Sequence, residues 1–137
     1  MQTNKPILDM CCGSRMFMHD KQDPRVLFMD IRSEEHILCD GRILKITPDI
    51  IADFKNLPFP DETFYQVLFD PPHLVRVGKN SWMFKKYGAL DKHSWRSDLA
   101  TGFREGSTGT YSSYMSLYNG RYRRSGLQNL CMPHSGH

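Results

Sequence analysis

Ile7-Leu8-Asp9-Met10-Cys11-Cys12-Gly13-Ser14 decides the fold: a short apolar run ends on a carboxylate and breaks at once into a turn of small residues. Val26-Leu27-Phe28-Met29 ends the same way on Asp30, 21 residues after Asp9, with room between the two for one short helix. Strand, turn, helix and a second strand closed by an acid form the layout of a nucleotide-binding half of a doubly wound sheet. The pattern repeats downstream, where Ile50-Ile51-Ala52 leads to Asp53 and Gln66-Val67-Leu68-Phe69 leads to Asp70. Runs without polar alternation suit parallel strands covered on both faces. Ligands of open α/β sheets bind beyond the carboxyl ends of the strands, so Asp9, Asp30, Asp53 and Asp70 are expected on one rim.

The segments between and after these runs read less regularly. His36 to Ile46 places Asp40-Gly41 between apolar flanks and predicts a hairpin at the sheet edge. Gly78 to Leu90 has neither a strand nor a helix period and reads as a long mobile loop, and the aromatic, basic stretch from Arg76 to Lys92 reads as a lid over the site or as packing above it. Trp95, Leu99 and Phe103 recur at helical spacing and predict a helix capped by Asp91 or Ser94. No Val or Ile follows Val77, and no acid follows Glu105, so further buried parallel strands are not expected. The reading is an α/β protein with a mostly parallel sheet, truncated after its fourth strand. Residues 1–105 form the partial domain, and residues 106–137 a divergent, flexible tail with one short helix around Tyr114 to Tyr118. Such a sheet would leave the flank of its fourth strand open to self-association.

With 137 residues, 39% hydrophobic and 24% charged, the chain fits one ordinary domain and excludes collagen, coiled coil and wholesale disorder. No stretch approaches the roughly 18 to 20 apolar residues of a membrane helix, and Met1 to Pro6 has no basic leader, so a cytoplasmic protein without membrane contact is expected. Cys11, Cys12, Cys39 and Cys131 include an adjacent pair that does not easily bridge itself, which points to reduced thiols. Charge is split: residues 1–75 hold 8 Lys/Arg against 12 Asp/Glu, and residues 76–137 hold 10 against 3. The basic second half, rich in Trp and Tyr, suits DNA or RNA, although solvated surface charge explains the same imbalance.

Residues 7–105 resemble the class I S-adenosylmethionine-dependent methyltransferases, particularly the small members found in phages and prophages, and the resemblance implies a Rossmann-like sheet. The segment Ile7 to Ser14 is similar to the family's first-strand motif, with Cys11 and Arg15 standing where the family has glycines. It assigns Asp9, Cys11 and Gly13 to the methionine part of the cofactor and Asp30 to the ribose hydroxyls. Ala52-Asp53-Phe54, followed by Asn56-Leu57-Pro58-Phe59-Pro60-Asp61, looks like the segment that contacts the adenine, which assigns Asp53 and Phe54 to the cofactor as well. Asp70-Pro71-Pro72-His73 is similar to the Asp-Pro-Pro-aromatic signature of enzymes that methylate exocyclic amino groups of bases. A conjugated amino nitrogen is a poor nucleophile. The Asp70 carboxylate and the Pro71 carbonyl would accept its N–H hydrogens and free its lone pair, Pro72 would fix the backbone, and His73 would stack on the base. The cofactor implied is S-adenosyl-L-methionine and the acceptor an amino nitrogen of a nucleic-acid base, with a small molecule or a protein as competing acceptors.

Each motif also has a structural reading. Asp-Pro-Pro is a common turn, Asp30 and Asp53 could cap strands or helices, and Cys11 and Cys12 suit small buried thiols better than a metal-binding or reactive pair. Cys131, His134 and His137 have a ligand-like spacing at the terminus that is too weak for a zinc site, so no metal is assigned. Gly78-Lys79 lacks the partner residues of a phosphate loop. The missing C-terminal strands favour an alternative in which the chain is a truncated or frameshifted remnant that only binds cofactor or nucleic acid.

Overall fold

Strand side chains alternate between two faces, and here both faces are apolar. The computed structural model describes residues 3–110, 115–118 and 123–124. Strand β1 (Ile7–Asp9) lies between two parallel neighbours, β2 (Val26–Asp30) and a later strand, Gln66–Phe69. Leu8, Met29, Val67 and Phe69 point to one face, together with Met10 and Phe64. Val26, Phe28 and Cys12 point to the other, where Ile7 and Met18 pack on them. Asp9 and Asp30 therefore sit at neighbouring strand ends.

Past β2 come β3 (Glu34–Ile37) and β4 (Ile43–Ile46), the predicted hairpin, reversed at Gly41 with φ of 84°. It pairs only with itself, as a separate two-stranded sheet rather than a hydrogen-bonded extension of the main one. Strand β5 (Ile50–Ile51) then pairs in parallel with β2, and β6 (Gln66–Phe69) returns to the far side of β1. Helix α1 (Trp82–Tyr87) and helix α2 (Trp95–Gly109) follow. The fold is mixed α/β with a mostly parallel sheet. No helix among the described residues is long and apolar enough to cross a membrane.

Four sequence expectations need correction. The short helix expected between β1 and β2 is absent, and turns occupy the segment. Met16, Phe17 and Met18 are consecutive rather than helically spaced, and Arg15 adopts φ of 62°, which stops a helix at its start. The expected loop at Gly78 to Leu90 contains α1, whose Ser81 hydroxyl accepts from the Phe84 N–H and whose end is set by Gly88 at φ of 70°. Six residues are too few for a helical period to show.

The sheet is also not truncated after β6. Strand β7 (Met115–Tyr118), where a helix was expected, pairs in parallel with β6, and β8 (Arg123–Arg124) pairs antiparallel with β7, giving the order β5-β2-β1-β6-β7-β8. An exposed flank of β6 offers unpaired backbone groups, and satisfying them outweighs the low strand propensity of Met-Ser-Leu-Tyr. The open flank invoked for self-association is thus covered. The proposed boundary at 105/106 falls inside α2, and the expected tail flexibility at residues 111–114, 119–122 and 125–137 lies outside the described residues.

Helix α2 carries the predicted apolar face, with Leu99 and Phe103 packed on the core. Asp91 accepts from the His93 and Ser94 N–H groups, while Ser94, at the N-cap, makes no side-chain cap bond. The helix's buried residues are Gly102, Gly106 and Gly109, which let its backbone approach the sheet. A Cβ at Gly102 would lie 2.5 Å from Phe69 Cζ and 2.9 Å from Phe54 Cδ1. Phe69 stands edge-on to both Phe54 and Phe103, at 5.2 and 5.3 Å between ring centroids, so that cluster has no slack. Gly102→Ala should lower stability by up to about 2 kcal/mol, because overpacking costs about 1 to 3 kcal/mol against a helix-propensity gain of about 1 kcal/mol. Urea denaturation checks this, and an unchanged or raised midpoint would show that the two rings yield freely.

Candidate functional site

Chain order runs outward from β1 through β2 to β5, then jumps back across β1 to β6. The reversal opens a crevice at the carboxyl ends of β1 and β6, the place where open α/β sheets bind ligands. Asp9 closes β1 and Asp70 follows β6, so both flank the crevice.

The turn after β1 is anchored to β2 by the Cys12 N–H, which donates to the Met29 carbonyl at 2.8 Å. Gly13 takes φ of 52° and donates its N–H to Asp30 Oδ2 at 2.8 Å. The other Asp30 oxygen accepts the Arg32 N–H at 2.9 Å, with Arg32 Nε at 3.6 Å. Each oxygen of an ionised carboxylate has about two acceptor sites, so Asp30 retains capacity for further donors. Arg32 in turn donates to the Lys85 carbonyl at 3.0 Å and thereby ties Asp30 to the end of α1.

Two cavities meet here. The larger, about 410 Å³, is lined by Met10, Cys11, Gly13, Asp30, Asp53 and Phe54, with Phe84, Gly88 and Leu90 on the α1 side. The smaller, about 270 Å³, is lined by Asp70, Pro71, Pro72, His73 and Tyr87. Cys11, Gly13, Asp70, Pro72 and Tyr87 border both. Of the catalytic and cofactor residues expected from the sequence, all of them among the described residues, Asp9 alone lines neither. Its side chain lies beneath the turn, 1% exposed, where Oδ1 accepts the Cys11 N–H at 3.4 Å and Oδ2 has no partner among the described residues. Asp53 Oδ1 accepts the Lys55 N–H, and Lys55 Nζ lies 3.7 Å from Oδ2.

Two contributors were missed from sequence. Tyr87 sets its ring 5.6 Å from that of His73 and supplies an aromatic face to the smaller cavity. Arg32 acts through a contact 53 residues away. Neither leaves a local pattern to find.

Burial governs the electrostatics. Desolvation pushes Asp9 up to about 7 against the lowering effect of the Cys11 N–H, and it pushes Asp70 up to about 7 as well. Burial, reinforced by the nearby carboxylates, also raises the Cys11 and Cys12 thiols above their usual range. Both therefore stay protonated near neutrality and serve as small packing groups rather than nucleophiles. Among the described residues no three His, Cys, Asp or Glu side chains gather as a metal site, and Cys131, His134 and His137 lie outside those residues.

Comparison with protein-family models, curated proteins and solved structures finds no significant match to this chain.

Proposed function

We propose that the larger cavity holds S-adenosylmethionine and that the protein transfers a methyl group to an amino nitrogen of a nucleic-acid base in the smaller one. The observation that carries this reading is the shared wall: Asp70 and Pro72 border a carboxylate-lined cavity on one side and an aromatic one on the other. The strand order β5-β2-β1-β6-β7 also follows the 3-2-1-4-5 order of doubly wound dinucleotide-binding sheets, which supports a Rossmann-like assignment.

The residues present fit this cofactor. A volume of about 410 Å³ lies within the range of small-molecule sites. Asp30 has acceptor capacity left for a ribose diol, Asp53 suits an exocyclic amino group, and Phe54 offers an apolar face to a purine. When bound, the cofactor supplies an electrophilic methyl group on a sulfonium cation, which an anionic wall favours. Asp70, once ionised, accepts an N–H of the acceptor and takes up the proton the nitrogen sheds, a task suited to a group that titrates near neutral pH. The Pro71 carbonyl receives the second N–H, and the Tyr87 and His73 rings, in contact with each other at 5.6 Å, offer an aromatic surface against which the base packs. Orientation of this kind contributes several kcal/mol, about 7 to 11 at best.

Calorimetry with S-adenosylmethionine tests the reading. The wild-type chain should bind, and Asp30→Ala should weaken binding about 10- to 100-fold, since a charged hydrogen bond is worth about 1.5 to 3 kcal/mol. Equal affinity in the variant would remove Asp30 from the site, and no binding by the wild type would overturn the reading.

A further inference from the structure

Beside the smaller cavity runs a third and larger hollow, about 630 Å³, between the β3–β4 hairpin, the turn after β1 and α1. Its wall carries Arg15, Lys21, Arg42, Lys45 and Lys86 and, among the described residues, not one carboxylate. Asp49, Asp40 and Glu35 pair with Arg15, Arg42 and Lys45 from outside that wall. The Arg42 and Lys45 pairs are solvent-exposed, so they hold their cations loosely. Trp82, 51% exposed, also faces the hollow, with Lys86 Nζ 5.7 Å from its ring centroid. Met16 and Lys86 line both this groove and the cavity of Asp70. The groove therefore runs into the place where an acceptor base would sit.

We infer that this groove is the track for a single-stranded polynucleotide, with its phosphates on Lys21, Arg42 and Lys45 and a base stacked on Trp82. The inference rests on the methyl-transfer reading for the direction of the strand, which delivers the neighbouring base to Asp70. The basic wall and the exposed ring are independent of that reading. A cationic groove interleaved with an aromatic platform is how single strands are held without sequence preference. A single strand fits better than a duplex because a paired base would first have to leave its stack to enter the Asp70 cavity. An acidic polypeptide would use the cations and leave Trp82 without a stacking partner.

Anisotropy of a labelled 12-nucleotide single strand, titrated with the full chain at several salt concentrations, tests the inference. Arg42→Glu/Lys45→Glu should weaken binding at least about tenfold and flatten the slope of log K against log salt by about 1.4, or 0.7 for each lost phosphate contact. Arg42→Lys/Lys45→Arg should restore both. Trp82→Ala should weaken binding about 5- to 50-fold at every salt concentration, as expected for one lost stacked base. Unchanged affinity in the charge-reversed variant would overturn the inference, as would equally tight binding of a duplex or of a polyglutamate peptide. S-adenosylmethionine affinity should be the same in Arg42→Glu/Lys45→Glu and wild type. Failure of the groove therefore shows as a variant that binds the strand normally, while failure of the methyl-transfer reading shows as a wild type that binds no cofactor.

Discussion

Asp70→Ala will reduce methyl transfer at least about 10³-fold while leaving S-adenosylmethionine affinity within about fivefold of wild type. In the proposed reaction the carboxylate would both orient the acceptor amino group and remove its proton, and losses of this kind run from about 10² to 10⁴. It borders the larger cavity as well, yet the cofactor's polar groups are assigned to Asp30 and Asp53, so binding should change little. The wild-type rate should also depend on pH. Only ionised Asp70 can take up the proton, and burial raises the group to about 7, so kcat should fall as pH drops below about 7 and level off above it. Single-turnover assays with labelled cofactor measure both effects. Transfer that survives in Asp70→Ala would move the chemistry elsewhere, and an affinity loss equal to the rate loss would make Asp70 a cofactor ligand rather than an acceptor ligand.

Stability should fall as pH rises from about 4 to 7, and Asp9→Asn should remove much of that slope. Asp9 is fully buried and titrates near 7 in the folded chain, against about 3.8 when exposed. Between those values the unfolded state releases a proton that the native state keeps, so each pH unit costs the folded form about 1.4 kcal/mol. The stabilisation is fully present below about pH 4 and is lost by about pH 7, on the order of 4 kcal/mol in all. Asp70 adds a slope of the same sign. Asparagine keeps the oxygen that accepts the Cys11 N–H but carries no titratable proton. Urea midpoints from pH 4 to 8 check this, and an Asp9→Asn profile parallel to wild type would show that Asp9 is ionised throughout.

Legibility of the fold followed burial. β1, β2 and β6 are covered on both faces or nearly so, which makes each an uninterrupted apolar run, whereas β5 is a two-residue strand with Ile51 exposed; each of the four is closed by or near an acid. Asp30, Asp53 and Asp70 could be gathered from sequence for that reason. The burial of Asp9 beneath the turn could not, because depth within a rim depends on how Cys11 and Cys12 fold over it. Strand β7 was hidden because its residues lack β-branched side chains, and an edge to pair with matters more than propensity. Glycines ordinarily mark weak helix, so the close packing of α2 through Gly102, Gly106 and Gly109 left no sign in an apolar periodicity that named Trp95, Leu99 and Phe103. Arg32 and Tyr87 became site residues only once α1 was placed above β2.

Amide chemical-shift mapping with S-adenosylmethionine tests most directly whether the larger cavity holds the proposed cofactor. Saturating ligand should shift the amides of Cys11, Gly13, Arg32, Asp53 and Phe54, which surround the cavity, and leave those of β4 in place. Shifts concentrated at Arg42 to Lys45, or none at all, would contradict the account.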